Sequence, residues 1–156
     1  MNNRDILNRE LINDLLVRLF NQILDIESHY MKANGVDDLS ISELHLLETI
    51  SRSSYPTMSE VAQKATLTNG TITTAVKRLE DKEYVIRTKD ENDRRIMRVA
   101  LTPNGVKACR VHQEFHDDMV SRVCEETTIL GDEQLLMSLR QLLYFFDEVK
   151  ESYLGE

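Results

Sequence analysis

His112 and His116 stand four residues apart, so on a helix their imidazoles share one face, a spacing that allows two ligands to one metal ion. The run between them, Gln113-Glu114-Phe115, does not make the H-E-x-x-H motif of zinc proteases, because the acid sits one position late for base catalysis. There is no G-x-S-x-G, no P-loop and no G-x-G-x-x-G, so hydrolytic and nucleotide chemistry have no sequence basis. Cys109 and Cys124 lie on one predicted helix, too far apart to bridge, and no cation is placed to lower a thiol pKa. A protein other than an enzyme is expected.

A second group of residues suits recognition. Ile72, Ala75, Val76 and Leu79 recur at i, i+3, i+4 and i+7, which gives one helix an apolar stripe toward a core. The opposite face carries Asn69, Gly70, Thr71, Thr73, Thr74, Lys77 and Arg78, preceded by Thr68. Threonines can set a hydroxyl on phosphate or a methyl against thymine, asparagine can bond base edges, and the two cations can reach phosphate or guanine.

These side chains need a scaffold. With 156 residues the chain suffices for one core, and its composition is that of a helical globular protein. The net charge of −8 opposes DNA binding at first sight. Residues 64–98, however, hold nine Lys/Arg against six Asp/Glu, a local +3 that leaves −11 on the rest. An acidic body with a basic tip orients on a polyanion tip first. The early charges Arg4, Asp5, Arg9, Glu10 and Asp14 interrupt any apolar run, so no signal peptide or membrane span is predicted and a cytoplasmic protein is expected.

In order along the chain, Leu7, Leu11, Leu15, Leu19 and Ile23 head an apolar band on a helix ending at Asn34-Gly35, wide enough to suggest burial against another subunit. Ser40 with Glu43, and Thr57 with Glu60, are capping boxes opening two further helices. Thr66-Leu67 makes a turn and Thr68 caps a fourth helix, completing a helix-turn-helix. Period-two patterns at Tyr84–Thr88 and Ile96–Leu101 predict a hairpin whose charged tip is Lys89–Arg95. Thr102-Pro103 starts a long fifth helix, and Asp132 caps a sixth with Leu135, Leu136, Leu139, Leu142, Leu143, Phe146 and Val149 in heptad-like spacing.

This ordered set resembles the MarR family of bacterial winged-helix regulators, with the D-x-R wing as Asp93-Arg94-Arg95 and the L-T-P-x-G helix start as Leu101–Gly105. The segments Ile41–His45, Gly70–Ala75 and Val111–Val120 are further similar to FabT-type repressors of fatty-acid synthesis genes. The resemblance implies a mainly α chain with a small β-wing: a winged helix-turn-helix lobe at 38–101 and a helical dimerisation region at 5–35 and 102–153. It implies a homodimeric repressor on double-stranded DNA, with contacts from Thr68, Asn69, Gly70, Thr71, Thr73, Thr74, Lys77, Arg78, Lys89, Asp93, Arg94 and Arg95. In the wing Arg95 is expected in the minor groove, with Asp93 orienting it.

By the same resemblance the effector would be a long-chain acyl group, carried on acyl carrier protein, in a pocket that His45, His112 and His116 line. The alternative is a zinc-responsive regulator, since Glu27, His45, His112 and His116 are similar to the ligand set of zinc-sensing family members. A third reading is a winged-helix module that binds protein, with which the net charge is compatible. One departure stands out: the family usually has Lys-Gly-Tyr after the recognition helix, and this chain has Lys82-Glu83-Tyr84. A positive φ at Glu83 would cost on the order of 1 kcal/mol relative to glycine.

Overall fold

Side-chain caps cut the chain into its elements. The computed structural model describes residues 2–154, in the order α1 (Asn3–Ala33), α2 (Ile41–Ser51), α3 (Met58–Ala65), α4 (Asn69–Asp81), β1 (Val85–Lys89), β2 (Met97–Leu101), α5 (Pro103–Glu126), a 3-10 turn (Ile129–Gly131) and α6 (Glu133–Leu154). Both predicted capping boxes form. Glu43 N–H donates to Ser40 Oγ at 3.3 Å while the Ser40 amide donates to the Glu43 carboxylate at 2.8 Å, and Thr57 with Glu60 repeat the exchange at 3.2 and 2.7 Å. Each cap is worth about 1 kcal/mol. Thr102 Oγ1 accepts from Gly105 N–H and Asp132 Oδ1 from Leu135 N–H, which sets the starts of α5 and α6.

The chain forms two compact units, Met1–Phe115 and His116–Glu156. In the first, Leu44, Leu47 and Ile50 of α2, Val61 of α3, and Ile72, Val76 and Leu79 of α4 are buried together with Val85, Val99, Ala108 and Val111. Full burial of a side chain of this size stabilises by about 1.5–3 kcal/mol. The strands pair antiparallel in the register Val85↔Leu101, Arg87↔Val99, Thr88↔Arg98 and Lys89↔Met97. The α2–α3 turn continues the ladder, since Val99 N–H donates to Pro56 O at 3.0 Å and Thr57 bridges Arg98. The result is the expected mainly α fold with a two-stranded wing.

The wing enters slightly later than the period-two pattern suggests, with Tyr84 and Ile96 just outside the strands. Tyr84 and Val85 are both buried, which breaks the alternation. The cause is Tyr84 Oη, which donates to Asp38 Oδ1 at 2.5 Å and draws the ring inward; burial and then Asp38 push its phenol pKa up. Glu83 adopts φ 64°, the left-handed conformation anticipated for it. Gly105 is obligatory: a Cβ there would lie 2.2 Å from the Tyr84 carbonyl oxygen.

Several large apolar side chains remain outside this core. Leu7, Leu11, Leu15, Leu19, Phe20 and Ile23 are exposed on α1. In the second unit Leu135, Leu136, Leu139, Leu143 and Phe146 are exposed on α6. Among the described residues no helix is long and apolar enough to cross a membrane.

Candidate nucleic-acid interface

The N-terminal end of α4 is built for close approach. Thr66, with φ 54°, ends α3, and the Leu67 amide returns to Ala62 O at 2.9 Å, so the chain reverses within three residues. Thr68 Oγ1 then caps α4 by accepting from Thr71 N–H at 3.2 Å. With Ile72, Val76 and Leu79 anchored in the core, Thr68, Asn69, Gly70, Thr71, Thr73, Thr74, Lys77 and Arg78 are all exposed. Thr73 and Thr74 donate their hydroxyls to Asn69 O and Gly70 O, at 2.7 and 3.1 Å. Their donors are used within the helix, leaving a methyl group and acceptor lone pairs for anything outside it.

The wing carries the second cluster. Arg95 has a side chain 90% exposed, yet its guanidinium meets both Asp93 oxygens, at 3.0 and 2.9 Å, and its amide donates to Asp93 Oδ1. This is the orienting pair expected from the sequence, and the contact holds the Asp93 carboxyl below its usual range. Lys89 and Arg94 are exposed beside it. Between Thr57–Ser59, the Asn69–Thr73 turn of α4 and the wing residues Arg95–Met97 lies an open cleft of about 500 Å³, with Arg87 at its wall. Arg87 is tied to Glu80, Nε to Oε2 at 2.8 Å, which fastens β1 to α4 and lowers the Glu80 pKa.

A third cluster joins α1, α2 and α5. His112 is 0% exposed with Nε2 2.8 Å from Glu27 Oε1 and Nδ1 2.8 Å from Glu48 Oε1; Glu27 is itself only 2% exposed. His45, with a side chain 53% exposed, places Nε2 3.8 Å from Glu27 Oε1. One donor atom each from Glu27, His45 and His112 lie within 4.8 Å of one another. That donor set, two imidazoles and a carboxylate, fits zinc chemistry. Glu48, which the sequence did not single out, would keep a proton on Nδ1 and so leave Nε2 for an ion. His116 lies one turn farther along α5, in the second unit. Burial, and then the charge of Glu48, push the Cys109 thiol up to about 11, so it is not primed for reaction.

Residues 39–97 match the MarR family. The HTH-type transcriptional regulator SarZ of Staphylococcus aureus is 30% identical over 84 residues, 54% of this chain and 55% of SarZ, so the chain spans about half the length of the curated relatives it matches. A crystal structure of Streptococcus pneumoniae FabT in complex with DNA is 31% identical, covers 91% of this chain and 99% of the FabT chain, and superposes with a TM-score of 0.82. The chain belongs to the MarR family. The YusO protein of Bacillus subtilis, at 18% identity and a TM-score of 0.65, shares the fold over 95% of this MarR-family chain. Homologues in the family are transcriptional regulators and not enzymes.

Sequence reasoning missed three residues that hold the wing of this MarR-family protein. Tyr55 adopts φ 60°, Asp90 is buried at the wing tip, and Arg98 lies between them. Only Asp90, as a charge in the hairpin tip, and Arg98, as a charge at a strand position, gave a sequence signal, and both read equally well as solvated side chains.

Proposed function

We propose that this MarR-family protein is a DNA-binding transcriptional repressor. It acts as a homodimer, with one winged lobe per subunit on successive major grooves and half-sites roughly one helical turn apart. Thr68, Asn69, Gly70, Thr71, Thr73, Thr74, Lys77 and Arg78 enter the major groove, while Lys89, Arg94 and Arg95 form the wing contact, Arg95 in the minor groove with Asp93 orienting it. The observation that carries this reading is the match along 91% of the chain to FabT, a structure solved on DNA. The exposed apolar residues of α1 and α6 support dimerisation, because a monomer rarely leaves so much apolar surface open.

The same likeness supports control of fatty-acid synthesis genes, with a long-chain acyl group on acyl carrier protein as corepressor. A ligand of this kind acts by binding one spacing of the two recognition helices better than the other. The test is anisotropy of a labelled operator duplex with acyl carrier protein, loaded or unloaded. Loaded carrier is expected to tighten binding about fivefold or more; equal affinity with both forms would contradict it.

One observation favours a second reading, a zinc-responsive regulator: the convergence of Glu27, His45 and His112. Metal analysis of untagged protein separates the two. Bound zinc, together with a zinc-dependent change in DNA affinity, favours the second reading.

A further inference from the structure

Among the described residues the wing's sheet has two strands, extended only by the bridge to Thr57, and so small a sheet is marginal in water unless something outside it holds it. What holds its tip is a chain of polar contacts beginning in the α2–α3 turn. Tyr55 there has φ 60°, a conformation that a bulky residue keeps only where its surroundings enforce it. Three contacts do so. Its hydroxyl meets Thr88 Oγ1 on β1, its carbonyl accepts from Arg98 Nη1 at 2.7 Å, and its ring lies 5.5 Å beneath the Arg98 guanidinium. Thr88 and Arg98 are directly opposite in the ladder, so Tyr55 clasps both strands at one level.

Arg98 passes the constraint on. Its Nε donates to Asp90 Oδ2, and Asp90 Oδ1 accepts from the amides of Asn92 and Asp93 at 2.9 and 3.1 Å. The turn closes with Asp90 N–H to Ile96 O and Ile96 N–H to Asp93 O, each 2.9 Å. Asp93 then grips Arg95. The two cations differ in kind: the Arg95 side chain is 90% exposed, whereas that of Arg98 is 28% exposed and engaged by Tyr55 and Asp90.

We infer that Arg98, with Tyr55 and Asp90, is a positioning residue of the proposed DNA interface: it touches no nucleic acid and sets where the wing tip presents Arg95. This rests on the DNA-binding reading above. A duplex read by α4 and the wing together requires a fixed distance between them, and the Tyr55–Arg98–Asp90 brace sets it from the turn that precedes α3.

The test uses the full-length protein and the variants Arg98→Met, Asp90→Asn, their double and Tyr55→Leu, Tyr55 being 43% exposed and outside the buried core. Hydrogen exchange in free protein is measured first. The Asn92 and Asp93 amides are expected to exchange faster in Arg98→Met and Tyr55→Leu while α4 amides keep their protection; unchanged tip protection overturns the brace. Operator binding is then titrated at several salt concentrations. Arg98→Met is expected to weaken binding about tenfold, the scale of one lost charge-assisted hydrogen bond. The double variant should lose no more than its worse parent, as coupled residues do.

The loss should largely vanish when Arg98→Met is made in an Arg95→Ala background, since Arg98 acts through Arg95. A loss of full size in that background, with a further drop in salt slope of about 0.9, would make Arg98 a phosphate contact of its own and overturn the inference. Wild-type affinity in Arg98→Met would overturn it as well. Faster tip exchange in a protein whose wild type binds no duplex overturns the DNA reading, and the positioning role with it, while the brace itself stands.

Discussion

The recognition helix and the wing face the same cleft, yet different forces hold them. Helix α4 is fixed by Ile72, Val76 and Leu79, which are local in sequence and buried in the shared core. The wing tip is fixed by Asp90, Arg98 and Tyr55, with Arg98 reaching back 43 residues to the Tyr55 carbonyl. Apolar burial is non-directional and cooperative with the whole domain, whereas a few hydrogen bonds and ion pairs act on one hairpin. It follows that α4 should fail only when the domain fails, and that the wing can lose its place while the domain stays folded.

Substitutions can break this contrast, the largest effect first. Leu79→Ala, at a fully buried position, is expected to lower unfolding free energy by about 2–5 kcal/mol in a denaturant titration. Arg98→Met, by contrast, should move the midpoint little; equal losses from both would abolish the distinction. Gly105→Ala must displace the Tyr84 carbonyl, which also accepts from Thr102 N–H at 3.0 Å, so a loss of about 1–3 kcal/mol is expected from overpacking at the wing's base. Glu83→Gly works in the other direction. Relief of φ 64° should raise stability by about 1 kcal/mol or less, part of the gain being offset by the freer unfolded chain.

The pH dependence sharpens the same comparison. Arg98, and then the Asn92 and Asp93 amides, hold the Asp90 carboxyl below its usual range. A depressed carboxylate stabilises the fold above its unfolded pKa of about 3.9, and that contribution is lost as pH falls through the folded value. The difference in Asn92 and Asp93 amide protection between wild type and Asp90→Asn should therefore be constant from neutral pH to about 5 and close below about 4. A difference that vanished near neutrality would deny Asp90 its ion pair.

These forces also decide what could be read from the sequence. Caps such as Ser40/Glu43 and Thr57/Glu60, and the stripe from Ile72 to Leu79, act over three or four residues, so spacing alone locates α2, α3 and α4. Glu83 was legible because a glycine was missing where one is usual. Tyr55 left no such mark: its left-handed φ is imposed by Arg98 and Thr88, which are distant in sequence. Glu27, Glu48 and His112 come from three helices, and no periodicity joins α1 to α5. The resemblance, not the spacing, suggested Glu27 and His45, and nothing suggested Glu48.

The central claim is that α4 and the wing tip read DNA, with Arg95 as the wing's contact. Its most direct test is the salt dependence of operator binding for wild type and Arg95→Ala, followed by fluorescence anisotropy. Wild-type binding is expected to depend on salt, and Arg95→Ala to show a large loss of affinity and a log–log slope flatter by roughly 1. Wild-type affinity and slope in Arg95→Ala would contradict that claim.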